Sequence, residues 1–467
     1  MLPASFFGAR LTGKRVRDLF GCRTASSPSD GLRIFSAEKS KRSALRWSTG
    51  RVDLHYLKWV EIAALVLCPA ILLTLPRGGS AGFYLLLLCS LIGIACRFKP
   101  MGKSFLQVAR EYWPINLAMA GMVCAIFFNH LSTGHFVIKT YDAPSRLALF
   151  ALLFWILLLL SDKELKSIQW GLIAGTIVGS VALCIETSEG ALRPLAILST
   201  PINLFGNIVF LMGILTLFSI GWNRSNEKAF IALKLLAGGA GFYASYLSQT
   251  RGNWIVVPLF IVIGFSAQKK IRIRHQFTVL ALAIVLFGSL YAFSSMVQTR
   301  VSAAQLDISQ YINGDNLDTS IGIRFQLWKG AWLLFKENPF FGVGPERFTD
   351  ALQALASRHV ITPTAATFPH AHNDILFNMA TLGIFGMLAI LMLYFVPAFY
   401  FGREMRNSDS EVRTVASMGL ALSLGFFFFG LTDLMFFSWT VSYTFYGVLL
   451  AAFFAYLVRR KAVLNNP

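Results

Sequence analysis

The sequence predicts an all-α, polytopic membrane protein with about twelve transmembrane helices. Three observations lead there. Hydrophobic residues make up 55% of the chain, 42 of them Phe, and only 14% are charged, which is more apolar surface than a soluble fold of this length hides. Apolar runs of about 18–22 residues recur, each long enough to cross roughly 30 Å of hydrocarbon as a helix. Lys and Arg gather in alternate short loops, the pattern the positive-inside rule produces.

In order, the runs fall at 56–76, 80–97, 112–131, 145–161, 168–187, 201–222, 228–248, 252–267, 276–295, 373–402, 413–433 and 438–458. Basic residues follow every second run: Arg97, Lys99, Lys103 and Arg110; Lys163 and Lys166; Arg224 and Lys228; Lys269, Lys270, Arg272 and Arg274; Arg403, Arg406 and Arg413; Arg459, Arg460 and Lys461. In a twelve-helix arrangement all of these share one side with the basic N-terminal segment. That side is expected to be cytoplasmic, with both termini on it. The net charge of +19 then reports topology, and no nucleic-acid partner is implied.

Residues 1–55 are basic, Ser-rich and poor in acids, without the apolar stretch of a secretory signal. They resemble a transit peptide in composition, but a disordered cytoplasmic tail held by inner-leaflet charge is the favoured reading. Residues 56–295 carry the first nine spans, 296–372 form the longest polar segment, and 373–467 carry the last three spans and a short cytoplasmic tail. Cys22, Cys68, Cys89, Cys96, Cys124 and Cys184 all lie outside the 296–372 loop, so neither a disulfide framework nor a zinc pattern is visible.

A loop as long as 296–372 needs structure of its own. Ile323–Glu337 reads as an amphipathic helix, with apolar Leu327, Leu334 and Phe335 and with Trp328 and Trp332 one turn apart. Asn338-Pro339 closes it, Gly342-Val343-Gly344-Pro345 makes a tight turn, and a second short helix is expected over about 346–357. The aromatics suggest helices lying along the membrane surface.

The loop ends at His370-Ala371-His372-Asn373, where a large polar segment meets a span. An imidazole at that interface titrates near neutrality and suits a general base for a hydroxyl; a plain helix anchor is the other reading of His372. His370, two residues earlier, makes a His-x-His pair with the spacing of a metal site, but the sequence offers only Asp374 as a nearby carboxylate. Arg251 interrupts an otherwise apolar hairpin, where a charge is costly unless it is paired or reaches water, so it is a candidate anion clamp. Arg324 opens the amphipathic helix against its macrodipole, which points to an anion or carboxylate partner. Arg146 and Arg193 are candidate supporting anion contacts, with helix-end anchoring as the alternative. Gly383 and Gly386, one turn apart, are expected to permit close helix packing. The outer acids Glu186, Glu189, Asp307, Asp315, Asp318 and Asp433 form no tight pair, so arginines are expected to do the work of a divalent cation, with no metal and no other cofactor.

These residues resemble a known family, the O-antigen ligases, which share a superfamily with the O-antigen polymerases. The resemblance runs over roughly 56–460 and rests on three stretches. His372-Asn373 followed by Gly383-x-x-Gly386 is similar to the family's His-Asn and Gly-x-x-Gly signature. Gly322-Ile323-Arg324-Phe325-Gln326-Leu327-Trp328 leading to Asn338-Pro339-Phe340-Phe341-Gly342-Val343-Gly344 resembles its loop segment. Gln249-Thr250-Arg251-Gly252 resembles its outer arginine. The resemblance implies a membrane glycosyltransferase (GT-C-like) fold in the bacterial inner membrane, with its active site facing the periplasm. It implies an inverting, metal-independent transfer of O-polysaccharide from undecaprenyl diphosphate to a sugar hydroxyl of lipid A–core, amid membrane lipids. His372 would be the base, Arg251 and Arg324 would hold the diphosphate, and His370, Asn373, Arg146 and Arg193 would support. A polymerase or a protein-glycan ligase of the same superfamily is the near alternative, and a lipid-linked glycan transporter the different class.

Overall fold

The computed structural model describes residues 54–465 apart from 76, 189–194, 198–199, 224–226, 269–277, 279–280, 282–284, 286–287 and 290. The expected N-terminal tail thus lies almost wholly outside the described residues. The described helices are α1 Leu54–Ile71, α2 Gly78–Ala95, α3 Phe105–Glu111, α4 Trp113–Thr133, α5 Asp142–Ala148, α6 Phe150–Leu157, α7 Asp162–Leu165, α8 Ile168–Ser188, α9 Ile202–Phe218, α10 Lys228–Ser248, α11 Arg251–Ser266, α12 Ser295–Asn313, α13 Ser320–Glu337, α14 Phe348–Ser357, α15 Asp374–Glu404, α16 Ser410–Gly430 and α17 Thr440–Asn465. The two-residue strands β1 Ala196–Ile197 and β2 Thr200–Pro201 form one antiparallel pair.

The chain is therefore an all-α polytopic membrane protein. Among the described residues, nine helices are long and apolar enough to cross a membrane, not twelve. The run at 145–161 is split at Leu149, where the ladder changes to an i+3 bond (Leu152 N to Leu149 O, 3.0 Å) between α5 and α6. The run at 252–267 makes only a short apolar helix. Much of the run at 276–295 lies outside the described residues.

Helix α17 sits at the centre. Every residue from Ser442 to Leu457 is buried, as a helix apolar on all sides requires, and α2, α5, α6 and α16 pack around it. Helix α16 also receives α9, α11 and α15, while α15 lies against α4. At one end of this bundle the basic loops converge on acids. Lys166 meets Glu411 (2.6 Å), Arg460 meets Asp409 (2.7 Å), Arg459 meets Asp162 (3.6 Å) and Lys461 meets Glu404 (2.5 Å).

The amphipathic helix expected at 323–337 is α13. It starts a turn earlier because Thr319 Oγ1 accepts from Gly322 N (3.1 Å) and caps it. It stops at Asn338, whose φ of −133° suits a residue before proline. Its buried stripe includes Leu327, Ala331 and Leu334, which share a small core with Phe348, Leu352 and Leu355 of α14 and with Ile361, Phe377 and Leu434. That core fastens the loop to the start of α15 and to the segment after α16.

Helix α15 is broken. Gly383 has φ 64° and ψ −149°, a region essentially reserved for glycine. The turn after α13 docks into the gap: Val343 N donates to Ala380 O (3.0 Å), Gly344 N to Thr381 O (2.9 Å), and Ile384 N to Pro339 O (2.8 Å). Asn129 of α4 closes the join by donating to Phe341 O at 2.7 Å. A Cβ on Gly383 would sit 2.3 Å from Phe340 O, and one on Gly342 2.3 Å from the carbonyl carbon of Thr381. Two motifs separate in sequence, the Pro-x-x-Gly-x-Gly turn and the Gly-x-x-Gly pair, are thus two halves of one clasp. The glycines were expected to let helices pack closely; at Gly383 the stronger demand is the break itself.

Candidate active site

The clasp and the loop core present residues 370–374 to the segment that joins α16 and α17. Asn373 is the N-cap of α15, its Oδ1 accepting from Leu376 N (3.0 Å), and its Nδ2 donates to Leu431 O (3.0 Å). Asp374 is fully buried and ties the same segment: Oδ2 accepts from Met435 N (3.1 Å) and from the Tyr394 hydroxyl (2.5 Å), and Oδ1 from Phe436 N (3.2 Å). Gly430 admits this contact, since a Cβ there would lie 2.5 Å from Asp374 Oδ2. Trp328 of α13 donates to Ala371 O (3.1 Å) from the other side. His372 is thereby held at φ 49°, an uncommon conformation for a residue with a Cβ and one that recurs at functional positions.

The segment tied down in this way carries Asp433. Its Oδ1 lies 3.1 Å from His372 Nδ1 and its Oδ2 accepts from Asn203 Nδ2 (2.6 Å). A carboxylate on Nδ1 fixes that nitrogen as the N–H and leaves Nε2 as the basic atom. Burial alone would raise the Asp433 carboxyl; the hydrogen bond from His372 and the neighbouring Arg324 guanidinium outweigh it and hold the group at about 2, so it is ionised near neutral pH. His370 packs edge-on to His372 (ring centroids 4.3 Å apart) and against Phe437 (5.3 Å). Burial first, with the neighbouring His372 imidazole and the Arg324 guanidinium adding to it against the pull of Asp433, pushes His370 down to about 4. It is a neutral partner, and its Nδ1 is buried without a hydrogen bond among the described residues.

Arg324 lies in the second turn of α13, half-buried, and acts electrostatically on both His370 and Asp433. It makes no hydrogen bond or ion pair among the described residues, so its guanidinium donors remain available. The side chain of Arg251 lies outside the described residues. Its helix start does reach the site, because a Cβ on the next residue, Gly252, would lie 2.6 Å from Thr432 Oγ1, beside Asp433. Arg193 lies outside the described residues altogether. Arg146 is elsewhere: buried between helices, it donates to Ser80 of α2 and Thr444 of α17 (both 3.0 Å) and lies over the Phe83 and Tyr84 rings. This is a bolt through the bundle, with no contact to the His372 group among the described residues.

The structure thus brings together His372, His370, Asn373 and Arg324 of the candidate site residues, picks out Asp433 from the outer acids and Asp374 beside the histidine, and adds Asn203. The chemistry open to such a group is proton abstraction by Nε2 beside a guanidinium without a partner among the described residues, at one end of a membrane bundle. In class, the chain is an all-helical membrane protein with a His–carboxylate pair set in a loop-covered end.

Residues 236–391 match the family described as O-antigen ligase. An uncharacterized protein of Haemophilus influenzae is 27% identical over 295 residues, covering 61% of this chain and 71% of that protein. The O-antigen ligase of Escherichia coli is 26% identical over 216 residues, covering 46% of this chain. The match spans half the length of that ligase. The resemblance drawn from the motifs is borne out, as a similarity of residues 236–391 to the O-antigen ligase family.

Proposed function

We propose that this protein is an O-antigen ligase, transferring O-polysaccharide from undecaprenyl diphosphate to a sugar hydroxyl of lipid A–core, by inversion and without a metal. The observation that carries the reading is the His372–Asp433 pair (3.1 Å) beside Arg324, which has no ion-pair partner among the described residues. The acceptor oxygen attacks the anomeric carbon as the bond to the diphosphate breaks. The acceptor proton passes to His372 Nε2, and the bonding pair leaves on the diphosphate. Asp433 holds the imidazole in the right tautomer and stabilises the imidazolium that forms, the role a buried carboxylate plays for a general-base histidine. Arg324, with Arg251 at the start of α11, balances the charge that grows on the diphosphate. Holding two large lipid-linked reactants in register supplies much of the remaining rate.

In this reading the bundle sits in the bacterial inner membrane with the 296–372 loop and the active site periplasmic, and residues 1–55 and the C-terminal end of α17 cytoplasmic. The convergence of the basic loops at one end of the bundle supports that orientation.

The test is complementation of a ligase-null strain. Wild type should restore long-chain lipopolysaccharide. His372→Ala, Asp433→Asn and Arg324→Ala should leave bare core while remaining in the membrane at normal amount. Normal ladders from His372→Ala and Asp433→Asn would overturn the site. A deletion strain that keeps single repeats on its core would make the protein a polymerase instead.

A further inference from the structure

A cavity of about 280 Å³ opens between α4, the 137–144 segment, the start of α15 and residues 436–438. It is separate from the His372–Asp433 pair but one aromatic layer away. Phe437 forms part of its wall and packs on His370 at 5.3 Å, which packs on His372 at 4.3 Å. The wall is aromatic and apolar, with Phe377, Phe436, Phe437 and Tyr443 among its members, and polar groups, Glu346 and Asn378 among them, share the lining. The clasp itself delivers Glu346. Thr140 Oγ1 donates to its Oε1, and the buried His130 Nε2 stands 3.5 Å from that same oxygen. Glu346 Oε2 has no partner among the described residues. Asn378 commits Nδ2 to Asp374 O (2.7 Å), which leaves its Oδ1 as an acceptor.

An aromatic wall beside fixed acceptors matches the two-sided chemistry of a pyranose, whose C–H face packs on rings while its hydroxyls donate to carboxylate and amide oxygens. A prenyl chain would match the wall but would offer no donor to Glu346 Oε2 or Asn378 Oδ1. We propose that this cavity is a sugar subsite, in which Glu346 Oε2 and Asn378 Oδ1 accept hydroxyls of one ring stacked on Phe377 and Phe437. The proposal rests on the glycan-transfer reading for which glycan arrives there, either the core of the acceptor or the first sugars of the donor.

The experiment is equilibrium titration of the purified full chain in detergent. The probes are free core oligosaccharide, free O-polysaccharide fragments and sugar-free undecaprenyl diphosphate, against wild type, Glu346→Gln and Val137→Trp. Val137 lines the cavity, and the larger ring is expected to fill it while leaving the polar groups of the lining in place. One saccharide should saturate wild type, bind about tenfold more weakly to Glu346→Gln through loss of a charge-assisted hydrogen bond, and fail to bind Val137→Trp. Which saccharide does so names the source. No saccharide binding, or binding undiminished in Val137→Trp, overturns the proposal. So does a Val137→Trp protein that loses the sugar-free diphosphate instead, which would make the cavity a lipid-tail pocket. Val137→Trp decides if Glu346→Gln does not fold. Wild type that binds saccharide yet fails the complementation test refutes the ligase reading and not the subsite; wild type that ligates while Val137→Trp binds saccharide normally refutes the subsite alone.

Discussion

Replacing Gly383 by Ala tests the clasp on which the site stands. The substitution puts a Cβ 2.3 Å from Phe340 O and 2.7 Å from Phe341 N, and both are backbone atoms, so no side chain can swing away. The backbone at 383 (φ 64°, ψ −149°) would cost an alanine about 1–3 kcal/mol. Displacing the turn would break the bonds from Val343 N, Gly344 N and Ile384 N, each worth about 1 kcal/mol. The total is about 4–6 kcal/mol. At roughly 1 °C per kcal/mol for a chain of this size, the melting temperature in detergent should fall by about 4–6 °C. Gly402→Ala is the control: it lies in the same helix with nothing within 4 Å of a new Cβ, so helix propensity should leave it neutral or slightly more stable. A Gly383→Ala protein that melts within 1 °C of wild type would refute the clasp as the element holding α15 to the loop.

Two further outcomes follow from the same geometry. His370 binds its proton at about 4 in the folded protein, against an ordinary 6.5, so the unfolded chain takes up more protons between those values. Its contribution to stability is complete above pH 6.5 and is lost as pH falls toward 4; His370→Phe should flatten the dependence of melting temperature on pH across that window, and an unchanged slope would assign it to other groups. Arg146→Ala should lower the melting temperature, because it empties a buried bolt that bonds Ser80 and Thr444; ligation per folded molecule should stay within a few-fold of wild type, and a loss of turnover at full stability would return Arg146 to the chemistry.

The apolar runs and the two loop helices were legible because their signals are local: length, period, a cap, a proline. The split at Leu149 was not, since neither proline nor glycine marks it within Phe150–Leu157 or at its edge. Helix α12 escaped notice because its residues are largely polar. The proposed base and one arginine could be read from their cost, a histidine at a span's mouth and a cation opposing a helix dipole. Asp433 was visible only as one of several outer acids, because its partner is 61 residues away and such pairings leave no periodicity. A signal was nonetheless available: Asn373-Asp374 follows the histidine directly, and a fully buried carboxylate at a helix start needs backbone donors from elsewhere, which the 435–436 amides supply.

The division of labour in His372-Asn373-Asp374 bears on how mutational scans of this segment will read. In the proposed mechanism one of the three offers its side chain to a reactant, whereas the other two hold the opposite segment within reach of the first. Alanine at any of them would extinguish the phenotype, so a saturation screen scored by survival would rank a proton acceptor and two fasteners as equals. Separating them takes an assay of shape alongside one of turnover, because the fasteners fail in both and the acceptor in only one.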